Sequence, residues 1–273
     1  VQDSNIGCFL LTRTGAVMSK FHAMRLFAGA RVGFPDFSEE GPDARITGRD
    51  VVSRLFAQTP INYDAAPSWY NEGFAPFVDY LPSEIQTVMK RGALLGGVLD
   101  KKSVGEGARG GLFHLIAREY GPGRALEMIF ALQQIAIDFV GNRGFTVGTA
   151  DMVISPAALD EVQRITAGLL RDSEGITERL LRGELTPPIG MTTHEYYERL
   201  QSEALKVPDD LLRPVLTSIR PDDNGLFQMI ATGSKGNTPN LLHVTALIGQ
   251  VEINPRRIPE QFDFRRTTVY FPR

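Results

Sequence analysis

The sequence has one cysteine, Cys8, among 273 residues. A single thiol excludes an internal disulfide and a cysteine-based zinc site, and it fits a reducing, intracellular compartment. No run of about 18 apolar residues occurs, so no membrane-spanning helix is predicted. The net charge is also small, 29 − 32 = −3. This balance does not point to a basic surface that follows nucleic-acid phosphates, so other parts would have to supply most of the positive charge near any nucleic acid.

What the chain does contain is apolar residues and many turns. Hydrophobic residues make up 42%, with 27 glycines and 17 prolines, enough for one large or two ordinary domains with a sizeable core. The chain begins at Val1 without a methionine or signal peptide, in an apparent turn, which is typical of a piece of a longer protein. The residue patterns predict an α+β protein, with a mixed α/β domain at 1–155 and a mainly helical domain at 156–273.

The first half alternates helical and strand patterns. Apolar spacing predicts helices over 16–29, 111–120 and 124–140, and Thr47 with Asp50 predicts a capped helix through Ala57. The helix at 124–140 is apolar almost all round, so we expect it to be buried on most sides and to end at Gly141. Short strands near 85–90 and 93–99 are expected to form a hairpin through Arg91 and Gly92, with irregular chain at 60–83 and extended chain at 144–153.

The second half predicts an antiparallel helical hairpin. Ser155 followed by Pro156 is a strong helix start. Apolar residues then recur at three, four and seven positions, which indicates a long amphipathic helix with a narrow seam: Leu159, Val162, Ile165, Leu169, Ile176 and Leu180. Two prolines at 187–188 turn the chain, and Thr192 with Glu195 forms a capping box for a second helix through about Val207.

Several motifs in the sequence lack the residues or the structural context that their chemistry requires. The stretch 105–110 matches the dinucleotide fingerprint Gly-x-Gly-x-x-Gly, but that site also needs a second parallel strand, and helices follow instead. His194 and Glu195 lack the second histidine of a zinc helix. The acidic pairs at 209–210 and 222–223 adjoin prolines, which favours solvated turns over magnesium ligands. We therefore predict no catalytic residue, metal site or cofactor within this chain.

The most informative stretch is 224–240, where an apolar run ends in Gly233, Ser234, Lys235 and Gly236. Glycine permits positive φ and close backbone approach, so this turn holds one ammonium group between two adaptable positions. A lysine there is a compact cation suited to a phosphate. A plain surface turn is the alternative, because turns of this composition are common.

The wider segment resembles the largest subunit of multisubunit DNA-directed RNA polymerases of eukaryotic and viral type. That family has Gly-Ser-Lys-Gly followed by an asparagine, Gly-Gln and a basic Arg-Ile or Arg-Pro pattern, matched in this chain by Asn240, Gln250 and 256–258. Further stretches are similar to the family in the same order along the whole chain: 1–7, 47–50, 97–105, 110–114, 118–122, 142–148 and 190–192.

The resemblance implies that residues 1–155 form the pore domain and 156–273 the funnel domain. In the family these domains line the secondary channel, through which nucleoside triphosphates enter and backtracked RNA leaves. Lys235 would contact the incoming triphosphate, and Lys101 with Lys102 would lie beside the pore. The resemblance also places four further residues along the channel or its pocket: Ser234, Gly236, Asn240 and Gln250.

The implied partners are the rest of the largest subunit and the second-largest subunit, with DNA and RNA met only through the assembled enzyme. A transcript-cleavage factor would dock at the helical hairpin. The family's magnesium-binding loop, Asn-Ala-Asp-Phe-Asp-Gly-Asp, does not occur in this sequence. We therefore expect the magnesium to belong to the parent enzyme and the isolated chain to be inactive, with a location in the nucleus, a viral factory or a virion. A stand-alone protein-binding module built on the helical hairpin is the alternative.

Overall fold

The computed structural model describes residues 2–254, 256–259 and 266. It confirms the α+β class, because helices account for about 52% of the chain and the strands form small antiparallel sheets. Within the described residues, no helix is both long enough and apolar enough to cross a membrane.

Helices and short strands alternate along the first hundred residues, and helices dominate the chain after them. The α-helices of the described residues are α1 (Gln2–Thr12), α2 (Lys20–Gly29), α3 (Gly48–Phe56), α4 (Lys101–Val104), α5 (Leu112–Tyr120), α6 (Pro122–Arg143), α7 (Pro156–Leu181), α8 (Thr193–Ala204), α9 (Leu212–Ser218), α10 (Gly225–Ala231) and α11 (Thr238–Thr245). The strands are β1 (Val17–Ser19), β2 (Arg45–Thr47), β3 (Tyr63–Ala65), β4 (Thr87–Lys90), β5 (Ala93–Gly96), β6 (Glu252–Ile253) and β7 (Arg256–Arg257). Their sheets are ordered β1-β2, β3-β4-β5 and β6-β7, with every pair antiparallel.

The structure divides into two compact units. The first contains the described residues of 1–152 together with 219–241, and the second contains those of 153–218 and 242–273. The segment 219–241, which carries α10, thus belongs with the first unit although it follows the helices of the second in sequence. The boundary at 241 falls inside α11.

The amino terminus is helical, and the turn expected there was wrong. Residues 2–12 form α1, which is buried along most of its length. The reason is a tertiary contact, since Gly7 lies directly against α6. A side chain at Gly7 would place its Cβ 2.6 Å from the carbonyl oxygen of Ala136. Only a glycine lets the two helices pack this closely, and this packing outweighs the local preference of the polar residues 2–5 for a turn. Val1 lies outside the described residues.

The expected cap of α3 is confirmed. The Asp50 N–H donates to Thr47 Oγ1, and the Thr47 N–H donates to the Asp50 carboxylate, each at 3.1 Å. The helix expected from residue 16 begins only at Lys20, where Ser19 Oγ accepts the His22 N–H. The preceding residues 17–19 form β1 instead, because their backbone groups pair with β2.

The hairpin of β4 and β5 is confirmed, and its turn is at the expected residues. Arg91 and Gly92 have φ of 48° and 83°, as a two-residue hairpin turn requires. The sequence did not predict β3, which pairs with β4 from within the stretch expected to be irregular. Prolines on both sides of β3, at 60 and 67, conceal so short a strand.

Helix α6 is longer and less buried than the sequence predicted. It begins at Pro122, passes through Gly141 and ends at Arg143, with Gly144 at φ 80° beyond it. One face is buried, but the opposite face leaves four large apolar side chains exposed: Leu126, Ile129, Phe130 and Ile137. The expectation of burial on most sides was therefore wrong for the isolated chain, because the first unit packs against one side of α6 only.

The helical hairpin of α7 and α8 is confirmed. Ser173 Oγ donates to Gln201 Oε1 at 2.6 Å, and Thr177 Oγ1 and Tyr197 Oη lie 3.2 Å apart. The partners run in opposite directions along the two helices, so the pair is antiparallel. The capping box at Thr192 and Glu195 is also present.

Packing in the hairpin differs from the predicted seam. Val162 is buried, but Leu159 is 45% exposed, although both are in the apolar pattern. The most buried residue of α8 is instead polar. Gln201 is 1% exposed, and its Nε2 donates to Ser173 O at 2.8 Å and Thr177 Oγ1 at 2.9 Å. The contact between the helices therefore depends on hydrogen bonds as well as on apolar contact.

Candidate functional site

Residues 233–236, called the lysine turn below, close the carboxyl end of α10. The Gly233 N–H donates to Ile230 O at 3.0 Å, and the Lys235 N–H donates to Met229 O at 3.2 Å. Gly233 has φ 70° and Gly236 has φ 83°, backbone conformations that L side chains rarely adopt. The two glycines are thus needed to reverse the chain, and Lys235 is held at the exposed apex between them.

Two polar residues hold the chain at and just after the lysine turn. Ser234 is 7% exposed, and its Oγ donates to Gln2 O at 2.6 Å. Asn240 Oδ1 accepts the Asn237 N–H at 2.9 Å, and Asn237 Oδ1 accepts the Asn240 N–H at 3.1 Å, a reciprocal cap at the start of α11. These contacts account for the conformation of Ser234 and Asn240, which are two of the residues that the resemblance placed along the channel.

Lys101 lies next to the lysine turn. Its N–H donates to Thr232 O at 3.2 Å, which joins α4 to the end of α10. The aliphatic stem of Lys101 passes between two glycines. A Cβ added to Gly233 would lie 3.0 Å from Lys101 Cδ, and one added to Gly105 would lie 2.6 Å from Lys101 Cγ. A Cβ at Gly105 would also lie 2.4 Å from Lys101 O, so this glycine lets the chain turn tightly against the backbone and the stem of Lys101.

The three predicted lysines are thereby grouped within the first unit. Lys102 follows Lys101 on the one-turn helix α4, and Lys101, Lys102 and Lys235 are all exposed. None of them has a carboxylate partner within 4.0 Å among the residues that the structure describes. Exposed cations without internal partners are available to an anionic ligand.

A buried carboxylate, that of Asp100, lies at the start of the helix that carries Lys101 and Lys102. It was not predicted from the sequence. Asp100 is 0% exposed and caps α4, with Ser103 completing the capping box. Burial raises the pKa of Asp100 from 3.8 to about 6, although backbone N–H donors, that of Trp69 first, act to lower it. The signal was present in the sequence, because Asp-x-x-Ser before a short helix is a capping pattern.

Gln250 belongs to the second unit. Its Nε2 donates to Val251 O at 2.9 Å, and it lines a cavity of about 1050 Å³ between α8 and the chain after residue 249. Charged side chains on the cavity wall are partly paired with one another, since Glu198 accepts from both Arg257 and Arg266. Gln250 therefore lies in a different unit from the three lysines.

The acidic pairs do not form a metal site within the described residues. Across 2–254, 256–259 and 266, no group of three or more His, Cys, Asp or Glu side chains is placed to hold an ion. Asp222 instead accepts from Arg13 at 2.6 Å, and Arg13 also pairs at 3.0 Å with the fully buried Glu84. Arg13 lies over the rings of Phe9 and Trp69 as well, so this cluster of charges stabilises the core of the first unit.

Comparison with protein families gives the class of protein. The family model for RNA polymerase Rpb1, domain 3, matches residues 1–152, and the model for RNA polymerase Rpb1, domain 4, matches residues 176–273. The chain therefore belongs to the family of the largest subunit of DNA-directed RNA polymerase, of the eukaryotic type, and carries its domains 3 and 4.

Individual members of this family differ in their sequence identity to the chain. The chain is 54% identical over its whole length to the DNA-directed RNA polymerase RPB1 homolog of African swine fever virus. It is 29% identical over 98% of its length to DNA-directed RNA polymerase II subunit RPB1-B of Trypanosoma brucei brucei, and 26% identical over 87% to DNA-directed RNA polymerase III subunit rpc1 of Schizosaccharomyces pombe. The chain spans 19%, 15% and 17% of these relatives, respectively.

Proposed function

We propose that this chain lines the secondary channel of an assembled RNA polymerase, and that its lysine turn meets the triphosphate of the incoming nucleotide. The observation that supports this most is the grouping of Lys101, Lys102 and Lys235, three exposed cations whose backbone positions are fixed by glycines and by a hydrogen bond between α4 and Thr232. A triphosphate with its magnesium ion needs compensating positive charge along its path, without proton transfer from the protein.

The chemistry of nucleotide addition belongs to other parts of the enzyme in this proposal. The magnesium ion would be held by the family's aspartate loop, whose sequence does not occur in this chain. The lysines would guide and orient the triphosphate electrostatically, so they affect substrate affinity more than the chemical step. No residue of this chain is proposed to react.

The exposed apolar surfaces support assembly into a larger enzyme. One face of α6 carries Leu126 at 66% and Phe130 at 42% exposure, a surface that a stably isolated domain seldom presents. We propose that the rest of the largest subunit and the second-largest subunit cover such faces, and that DNA and RNA are met only through the assembly. The assembly would operate in a nucleus or viral factory, or be packaged in a virion.

The tip of the helical hairpin is proposed to receive a protein factor that promotes transcript cleavage. Leu181 is 81% exposed at the end of α7, and Ile189 in the connecting segment is fully exposed. Two apolar side chains at the end of a paired helix unit are suitable contacts for a partner protein. The same feature would serve a stand-alone binding module, which is the competing function.

The test replaces Lys235 in the full-length subunit of the assembled polymerase. We expect Lys235→Ala to raise the KM for nucleoside triphosphates about tenfold, because a charge-assisted contact to phosphate is lost. The maximal rate at saturating nucleotide should change little. Lys90→Ala is the matched control, since Lys90 is an exposed lysine of the same unit at the end of β4. An unchanged KM in Lys235→Ala and in a variant lacking Lys101 and Lys102 would favour the binding module.

A further inference from the structure

Asp100 is a buried carboxylate that joins two chain segments, the one at Trp69 and the start of α4. Its Oδ2 accepts the Trp69 N–H at 2.8 Å, and its Oδ1 accepts the Lys102 N–H at 2.9 Å. Its own N–H donates to Ser103 Oγ at 2.9 Å, and Ser103 Oγ donates back to Asp100 O at 3.0 Å. Asp100 thus connects the core around Trp69 with the short helix that carries two of the three lysines.

Helix α4 depends on this connection. It has only four residues, and a single helical turn is unstable by itself because few hydrogen bonds repay the ordering of its backbone. Its capping box therefore determines where it begins and how it is oriented. Since α4 also donates through the Lys101 N–H to Thr232 O, its orientation determines how Lys101 meets the lysine turn.

The chemistry of the side chain at residue 100 is specific. A carboxylate presents acceptors on both oxygens, so it can receive the Trp69 and Lys102 N–H groups at the same time. An amide of the same shape has one oxygen, and its nitrogen would face one of these donors with another donor. Asp100→Asn therefore breaks one of the two bonds while changing the side-chain volume very little.

We infer that Asp100 is a positioning residue of the nucleotide path: it fixes α4 so that the ammonium groups of Lys101 and Lys102 remain beside the lysine turn. Asp100 is fully buried and does not touch the ligand. Its ligand class is the triphosphate of a nucleotide, so the inference rests on the proposed function. It predicts that a residue outside the channel surface controls substrate affinity through the backbone of α4.

The experiment uses the assembled polymerase with the full-length subunit. We expect Asp100→Asn to raise the KM for nucleoside triphosphates about fivefold, with the maximal rate changed less than about twofold, because the cap is weakened and the lysines are displaced. Glu84→Gln is the matched control. Glu84 is also 0% exposed, and its carboxylate accepts from Arg13 and the Thr14 N–H, neither of which belongs to α4. It should leave the KM unchanged.

A variant lacking both Lys101 and Lys102 separates the inference from the proposed function. If that variant and Lys235→Ala both have the KM of the unaltered enzyme, the proposed function fails. If only the variant lacking Lys101 and Lys102 does, the proposed contact of Lys235 stands and the positioning role of Asp100 is overturned. If that variant raises the KM while Asp100→Asn does not, the proposed function stands and the positioning role of Asp100 is overturned. The positioning role predicts that Asp100→Asn adds little to the KM once both lysines are gone. A full additional increase in that background would also overturn it.

A second variant, Ser103→Ala, tests the inference if the polymerase with Asp100→Asn does not assemble. Ser103→Ala keeps the carboxylate and removes the Ser103 Oγ, which accepts the Asp100 N–H and donates to Asp100 O. We expect it to raise the KM about twofold, in the same direction and by less, since one bond of the capping box is lost. A KM equal to that of the unaltered enzyme in correctly assembled Ser103→Ala would contradict the inference.

Discussion

Three glycines of the first unit and two glycines of the helical hairpin have opposite surroundings. Gly233 and Gly105 lie against the stem of Lys101, and Gly7 lies against the backbone of α6. Gly168 and Gly175, in the middle of α7, have no atom near the place where a side chain would begin. Gly7, Gly105 and Gly233 thus permit close approaches that fix neighbouring residues in place, whereas the two glycines of α7 have no packing role. This contrast fits a region that positions charges and a region that presents a surface.

The largest effect is expected at Gly7, where a glycine in the middle of one helix lies against the backbone of another helix. Gly7→Ala places a methyl group 2.6 Å from Ala136 O, so α1 and α6 must separate. We predict a loss of about 3 kcal/mol in the free energy of unfolding, at the upper end of overpacking effects. Urea unfolding of the chain followed by circular dichroism would measure it. A loss below about 0.5 kcal/mol would show that α1 and α6 are not packed as described.

The second prediction concerns the pKa of the buried Asp100 carboxyl group. The folded-state pKa of Asp100, about 6, lies above its ordinary value of 3.8 because burial disfavours the carboxylate. The folded chain therefore holds this proton more tightly than the unfolded chain. The stabilisation is fully present below about pH 4 and is lost as the pH rises through 6.

This prediction is measured as a difference in the free energy of unfolding between two chains. The unfolding free energy of the unaltered chain minus that of Asp100→Asn should fall by up to about 3 kcal/mol between pH 4 and pH 7, since each pKa unit corresponds to about 1.4 kcal/mol. Burial first and the Asp100 charge second raise the pKa of Cys8 and of Tyr63, but both groups titrate above this pH range. The contributions of the other groups are common to both chains and cancel. A difference that is constant with pH would refute the raised pKa.

The third prediction applies to the polar seam of the hairpin. Gln201→Ala removes the amide that bonds Ser173 and Thr177 and leaves their polar atoms without this partner. We expect a loss of about 1–2 kcal/mol in the stability of the second unit. Hydrogen exchange of α7 and α8 would measure it locally. Ser202→Ala is a useful comparison because Ser202 is on the same helix and bonds Glu252 instead, outside the seam.

The smallest predicted effect is a gain in stability rather than a loss. Gly175→Ala introduces a methyl group into open space in a helix interior. Alanine favours the helix over glycine, so the second unit should gain about 0.5–1 kcal/mol. A higher urea concentration at the unfolding midpoint would show this gain in stability. Destabilisation by Gly175→Ala would mean that this face of α7 is covered, and the contrast between the two groups of glycines would fail.

Local chemistry explains which features could be predicted from the sequence. The caps at Thr47 and Thr192, the turn at Arg91 and the lysine turn each depend on a few neighbouring residues, and the structure has all of them. The cap at Asp100 is equally local and was missed, because the two lysines after it have the pattern of an exposed loop rather than of a helix.

The features that could not be predicted depend on contacts far apart in sequence. Helix α1 exists because Gly7 meets Ala136, and Lys101 reaches the lysine turn because its N–H bonds Thr232. Gln201 is buried because Ser173 and Thr177 on the other helix satisfy its amide. No periodic pattern encodes such pairs, so the sequence could propose the lysines as a site but could not show that they are grouped.

The most direct test of the central claim is photochemical labelling of the assembled polymerase. A nucleoside triphosphate with a photoreactive group on its γ-phosphate would be bound and irradiated, and the labelled peptides mapped by mass spectrometry. We predict labels within 97–105 and 233–236, removed by excess unmodified triphosphate. Labels confined to α7 and α8, or none in this chain while the enzyme still uses the analogue, would contradict the assignment of the lysine turn to the nucleotide path.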